Sequence, residues 1–160
     1  MNSRSFLTLA ALLVASALAN QSSKGTTVSA TAKGSFEVKA TPQPAAEGDD
    51  PSFSRMRFDK QFHGDLEGTS RVQMLAAGTS VKDSGAYVAL EKVSATCAGR
   101  KGSFILQHAA TMNRGVPSLL ITVVPDSGTG ELRGISGRLS IDIRDGKHFY
   151  SFEYSLPAGD

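Results

Sequence analysis

Residues 99–137 read GRKGSFILQHAATMNRGVPSLLITVVPDSGTGELRGISG. Apolar segments rich in β-branched residues alternate here with turns such as Asn113-Arg114-Gly115 and Asp126-Ser127-Gly128. Short apolar runs bounded by Gly, Asn and Asp are typical of antiparallel β-strands, and no sustained helical period interrupts them. The stretch therefore predicts strands over residues 103–111 and 118–124.

The same alternation of short strands and tight turns extends outward over most of the chain. Phe36 and Val38 share one face of a period-two segment whose other face is polar. Further strands are predicted over residues 54–63, 68–76, 86–96, 137–143 and 149–156. Three prolines within residues 41–51 predict a loop there, because proline cannot continue a ladder. Seven or eight strands joined by tight turns favour an antiparallel barrel or sandwich.

In most of the predicted strands the apolar residues fall on alternate positions, and this parity predicts which side chains face the interior. Its predicted members are Phe36, Val38, Met56, Phe58, Phe62, Val72, Met74, Phe104, Leu106, Ala110, Leu139, Ile141, Ile143, Phe152 and Leu156. The strands over 86–96 and 118–124 are apolar on both parities, so their orientation stays open. Strands apolar on both faces are usually covered on both. The amino-terminal leader or a second subunit, in a homo-oligomer, is the expected outer cover.

The amino-terminal segment predicts export. Arg4 supplies a positive region, residues 6–19 are apolar with many small side chains, and Ala17-Leu18-Ala19 is an A-x-A cleavage signal. The apolar run is shorter than the ~20 residues that a bilayer-spanning helix needs. We expect a signal peptide over residues 1–19, a flexible Ser/Thr-rich leader over 20–31 and a single barrel domain over 32–160, with no membrane contact after cleavage.

Composition and spacing argue against several other classes of function. The formal net charge is +2 and the charged residues are scattered, so nucleic acid is not expected as a partner. Cys97 is the sole cysteine, which excludes an intramolecular disulfide and favours a buried, inert side chain. The three histidines lack the short spacings of a metal site, and we expect no metal ion. The glycines at 128, 130 and 134 have the wrong spacing for a dinucleotide, so no cofactor is expected.

Four segments resemble a bacterial domain family of unknown function whose fold is related to plant allene oxide cyclase. They are residues 62–68 (FHGDLEG), 87–91 (YVALE), 102–108 (GSFILQH) and 124–132 (VPDSGTGEL). The resemblance covers residues 32–156, and the SGTGEL block is its most specific part. It implies an all-β fold, an eight-stranded antiparallel barrel that is allene-oxide-cyclase-like and therefore calycin-like, with room for a cavity. It transfers no catalytic residue to this chain.

Polar side chains on otherwise apolar strand faces are the candidate ligand-binding residues. They are His108, Tyr87, Glu91, Tyr150 and Tyr154. An ionisable group held among apolar atoms often marks a site, although such groups also satisfy one another within a core. Three hypotheses follow for an exported barrel of this size. Its lumen binds one small, largely apolar ligand; it is a cyclase or isomerase acting on a reactive apolar, oxylipin-like substrate; or its lumen is fully packed and its role is structural.

Overall fold

A computed structural model of the chain describes residues 26–158, and regular structure in this range is entirely β-strand. The strands are β1 Thr27–Gln43, β2 Phe53–Gly64, β3 Leu66–Gly78, β4 Gly85–Cys97, β5 Arg100–Asn113, β6 Val116–Val123, β7 Thr129–Gly130, β8 Ser136–Arg144 and β9 Lys147–Pro157. Eight of them form a ring in the order β4-β3-β2-β1-β9-β8-β6-β5, which β4–β5 pairing closes. The predicted eight-stranded antiparallel barrel is therefore confirmed. Within residues 26–158 there is no helix that is long and apolar enough to span a bilayer.

The barrel strands are staggered, and this stagger explains the length of β1. A row of paired residues that starts at Thr31 of β1 crosses all the remaining barrel strands in turn and returns to β1 at Thr41, farther along the strand. Closure with such an offset requires tilted strands. The first part of β1 therefore pairs with β9 and its last part pairs with β2.

Two predicted boundaries at β1 were wrong for this reason. Residues 27–31, assigned to a flexible leader, form strand because β9 needs a partner up to Pro157. The strand also continues to Gln43, into the predicted loop, and it includes Pro42. Proline is tolerated there because β9 pairs with β1 only up to Phe36, which leaves Pro42 on a free edge. The predicted signal peptide and residues 20–25 of the leader lie outside the described residues.

The lower half of the barrel, at the end where β6 connects to β8, is filled by aromatic side chains. Phe104 and Phe152 stack with ring centroids 5.4 Å apart, and Phe152 stacks on Tyr154 at 5.3 Å. Leu132 and Ile135, from the connection between β6 and β8, are almost fully buried and close this end. The inward side chains of the lower half thus form the packed core of the barrel.

The SGTGEL block has a structural explanation in this closure. Below Leu106, β5 has no β6 residue beside it, so its amides need other acceptors. The side chains of Ser127, Thr129 and Glu131 accept hydrogen bonds from the backbone N–H groups of Ile105 (3.0 Å), Ser103 (3.1 Å) and Lys101 (2.8 Å), respectively. Every second side chain of the block therefore satisfies one edge amide of β5, which explains the spacing of the motif by strand geometry.

The structure resolves the two strands whose orientation the sequence left open. Glu91, Val93 and the other odd-numbered residues of β4 point inward, as do Ile121 and Val123 of β6. On the outer face Val88 and Leu90 remain 59% and 56% exposed. Residues 27–31, part of the expected cover, pair instead with β9 across the barrel from β4. A second subunit over this face stays a prediction.

Candidate functional site

Four polar side chains meet inside the barrel at mid-height, and we call them the polar cluster: Lys60, Ser70, Glu91 and His108. They come from four neighbouring strands, β2 to β5, which present successive inward positions at this level. Lys60 is directly opposite Ser70, whereas Glu91 is one diagonal step from both Ser70 and His108. All four side chains are buried, and Glu91 is completely so. Residues this polar are seldom fully buried unless they are paired.

Glu91 is the centre of the polar cluster and accepts three hydrogen bonds. Lys60 Nζ and His108 Nε2 each donate to its Oε2 atom at 2.8 Å. The hydroxyl of Ser70 donates to Oε1. Burial alone would raise the pKa of Glu91, but the hydrogen bond from His108, the charge and hydrogen bond of Lys60 and the hydrogen bond from Ser70 outweigh it. They lower the pKa to about 2, so Glu91 is ionised at neutral pH.

Lys60 balances the Glu91 charge and lies close to two aromatic rings. Its ammonium lies 4.8 Å from the ring centroid of Phe36 and 5.7 Å from that of Phe62. A cation over aromatic rings is stabilised by their quadrupoles. The ammonium of Lys60 is therefore held between the Glu91 carboxylate and the aromatic rings below the cluster.

His108 differs from its neighbours because one of its ring nitrogens has no hydrogen bond to any described residue. Nε2 must carry a proton, since it contacts the acceptor-only Glu91 carboxylate. Among residues 26–158, no fully enclosed side-chain nitrogen or oxygen lacks a partner. Nδ1 of His108 is therefore not fully enclosed, although the residue is only 4% exposed. His108 also borders a cavity of about 1150 Å³ together with the inward Met74 and Ala89, and Nδ1 has a lone pair available when the ring is neutral.

Above the polar cluster the lumen is apolar and incompletely filled. We call this region the upper cup. Its inward side chains are Val38, Met56, Phe58, Val72, Met74, Tyr87, Ala89, Ala110, Leu119 and Ile143. Most of them are half-buried or exposed, whereas the inward side chains below the cluster are nearly all buried. Towards the mouth, beside the β3–β4 turn, a cavity of about 520 Å³ is lined by Tyr87, Ala110, Met112 and Leu119. A cavity of this size suits a small ligand.

The structure brings three of the five predicted site residues together. Glu91 and His108 are hydrogen-bonded to each other, and Tyr87 lies above them, where burial and the Glu91 charge raise its pKa. Tyr150 and Tyr154 instead belong to the packed core below. The hydroxyl of Tyr150 accepts a hydrogen bond from the amide of Leu66 at 2.8 Å, so it is already used within the protein.

Sequence reasoning missed two members of the polar cluster, Lys60 and Ser70. Lys60 shares its parity with Phe58 and Phe62, both predicted to be inside, so the alternation of β2 already placed it in the lumen. Ser70 shares the parity of Val72 in the same way. Within residues 26–158, no three His, Cys, Asp or Glu side chains lie close enough to hold a metal ion.

Fold and site together define a class: a small antiparallel β-barrel with a packed lower half, a buried ionic cluster at mid-height and an open apolar cup above. Residues 32–154 match the model of the DUF3224 family, described as proteins of unknown function, and the chain belongs to that family. The resemblance to a bacterial family of unknown function is thereby confirmed, while the likeness to allene oxide cyclase stays a prediction.

A solved structure supports the assignment to this family. The crystal structure of a DUF3224 protein of unknown function from Shewanella oneidensis MR-1 is 43% identical in sequence, with a TM-score of 0.75. The match covers 82% of this chain and 100% of that chain. Among curated proteins, none shows significant similarity.

Proposed function

We propose that the protein binds one small, largely apolar ligand in the upper cup, and that a hydrogen-bond donor on the ligand contacts Nδ1 of His108. The observation that carries this proposal is the unused ring nitrogen beneath an unfilled apolar space. An eight-stranded barrel either fills its interior with side chains or holds a single small molecule. Here the lower half is packed and the upper half is not, which supports the second role for the upper half.

The polar cluster favours a donor on the ligand over a carboxylate. Lys60 already neutralises Glu91, so no unbalanced positive charge is left to attract an anion. Glu91 also fixes Nε2 as the protonated nitrogen, because a carboxylate accepts and does not donate. In the neutral ring Nδ1 is then an acceptor, and a hydroxyl or N–H group of the ligand is its natural partner.

The test compares two probes of nearly equal shape, 1-naphthol and 1-methoxynaphthalene, of which only the first donates a hydrogen bond. We expect the wild-type protein to bind 1-naphthol roughly tenfold more tightly, the value of one hydrogen bond of about 1.4 kcal/mol. His108→Phe should remove this preference and leave binding of the ether unchanged. His63→Phe is the matched control, because His63 is exposed on the outer face.

Two results would refute the proposal. One is wild-type protein that binds neither naphthalene; the other is a preference for 1-naphthol that His108→Phe leaves intact. Because His108→Phe also removes a donor to Glu91, its fold is checked by far-ultraviolet circular dichroism before binding is measured. The wild-type comparison of the two probes stands even if this variant does not fold.

A cyclase or isomerase is the second candidate, favoured by the pairing of His108 with Glu91. A carboxylate that orients an imidazole and supports its positive form is a recurring arrangement of general bases. Nδ1 of His108 is the nitrogen that would take a proton from a bound substrate. Chromatography of a ligand recovered after incubation separates the roles: an unchanged ligand supports binding, and an isomer of equal mass supports catalysis.

We further propose that this binding occurs outside the cytoplasm, on the basis of the amino-terminal signal. The expected mature chain begins at Asn20, after the A-x-A site. Intact-mass measurement on protein recovered from a secreting host tests this directly. Mature protein that retains residues 1–19 would contradict export with cleavage.

A further inference from the structure

The wall of the upper cup has a gap, which we call the notch. It is bounded by residues 37–43 of β1, by the β8–β9 turn at 144–147 and by residues 116–121 of β6. Above Phe36, β1 has no β9 partner, and β6 pairs with β8 at one position, Thr122 with Arg138. The described strands thus leave two free edges facing each other above a short hairpin.

Exposure of the inward side chains shows that the notch opens on the lumen. Ile143 and Leu119 point inward at its border, yet they are 62% and 42% exposed. Val72 and Ala89, inward residues of the opposite wall, are only 4% and 6% exposed. These inward side chains are therefore far more exposed to solvent at the notch than on the opposite wall.

We infer that the notch is the lateral access route to the upper cup and holds the apolar tail of an elongated ligand whose donor group reaches His108. This inference rests on the proposed function, and it adds the ligand class: an unbranched apolar chain with one terminal hydroxyl or N–H group. The exposed, inward Leu119 and Ile143 are apolar surface at the border that a chain leaving the cup here would contact. A compact ligand inside the cup would not contact Ile143.

The mouth cavity offers a competing path for such a tail. It runs beside the β3–β4 turn and is lined by Val81, which is 44% exposed, and by Met112. The notch is the better candidate, because the β3–β4 and β5–β6 turns, which are neighbours at the rim beside the mouth cavity, are hydrogen-bonded to each other. The amide of Gly115 donates to the carbonyl of Asp83 at 2.9 Å, and that of Arg114 donates to the Ser84 hydroxyl at 3.0 Å.

The experiment measures binding of tritium-labelled hexan-1-ol and dodecan-1-ol by equilibrium dialysis. Each methylene that the protein buries should tighten binding by about fourfold, so the longer alcohol should bind wild-type protein at least tenfold more tightly. Ile143→Asp, at a largely exposed position, puts a charge at the border of the notch. It should weaken dodecan-1-ol binding roughly tenfold more than it weakens hexan-1-ol binding.

Two control variants make the result specific. Val88→Asp places the same charge on the outer face at a similarly exposed position, 59% against 62%, and should change neither affinity. Val81→Asp places it at the mouth. The inference is overturned if Val81→Asp, and not Ile143→Asp, selectively weakens dodecan-1-ol binding, if Ile143→Asp affects both alcohols equally or neither, or if wild type binds both alcohols equally. Binding of neither alcohol to wild type would instead overturn the proposed function itself.

Discussion

Removal of both members of the Lys60–Glu91 pair should cost less stability than the sum of the two single removals. Glu91→Gln deletes the negative charge and leaves the ammonium of Lys60, a residue only 9% exposed, without its counter-ion. Loss of one partner of a buried ion pair typically costs about 3–5 kcal/mol, because the other charge remains buried. Lys60→Met should cost a similar amount. The double variant retains neither charge, so its loss should fall short of the sum by at least about 2 kcal/mol.

Urea unfolding at pH 7, followed by far-ultraviolet circular dichroism because the chain has no tryptophan, gives the four free energies of this cycle. The control cycle uses Arg71→Met and Asp59→Asn, an ion pair of 3.0 Å in which the Arg71 side chain is 67% exposed. Its coupling should lie between about 0 and 1 kcal/mol. A coupling between Lys60 and Glu91 no larger than that of the control pair would refute the reasoning.

Three further outcomes are expected. The pKa of Glu91 is lowered from 4.5 to about 2, so the ionised Glu91 stabilises the fold fully above about pH 4.5 and this stabilisation is lost as the pH falls towards 2. In acid titrations, the difference in unfolding free energy between wild type and Glu91→Gln should therefore shrink by about 3 kcal/mol over that window. Tyr150→Phe leaves the amide of Leu66 without its 2.8 Å acceptor and should cost about 1–3 kcal/mol in urea unfolding, with 1-naphthol affinity unchanged. Gly34→Ala should lower the melting temperature strongly because its Cβ would overlap the backbone carbonyl oxygen of His63 and the Tyr150 hydroxyl, whereas Gly78→Ala, with open space around it, should not.

Alternation along the chain was enough to predict the barrel and most of its interior. The odd-numbered residues of β4 are a case where it failed, because Val88 and Leu90 on the outer face are as apolar as the inward side chains. The orientation of β4 depends on the partners of Glu91, namely Lys60, Ser70 and His108, which lie inside the barrel. Lys60 is on the same face of β2 as Phe58 and Phe62, so alternation along this strand predicts that it points inward.

The pairing of Glu91 with Lys60 could not be predicted, because the two residues are 31 positions apart and meet across an intervening strand. Their contact depends on the registers of β2 with β3 and of β3 with β4. Those registers are set by turn geometry and by the whole pattern of burial. The start of β1 at Thr27 could not be predicted for a related reason. Apolar and polar residues alternate only weakly at this end of β1, and a strand is required there only because the closed barrel is offset.

The central claim is that a hydrogen-bond donor of a bound ligand reaches Nδ1 of His108 inside the upper cup. Nitrogen-15 NMR of the histidine side chains tests it most directly, because the chain has three histidines and the exposed His63 is an internal reference. On saturation with 1-naphthol, we predict a change at Nδ1 of His108 that marks an accepted hydrogen bond, with Nε2 still protonated towards Glu91 and the signals of His63 unmoved. Saturation that leaves Nδ1 of His108 unchanged, or that shifts only His63, would contradict the account.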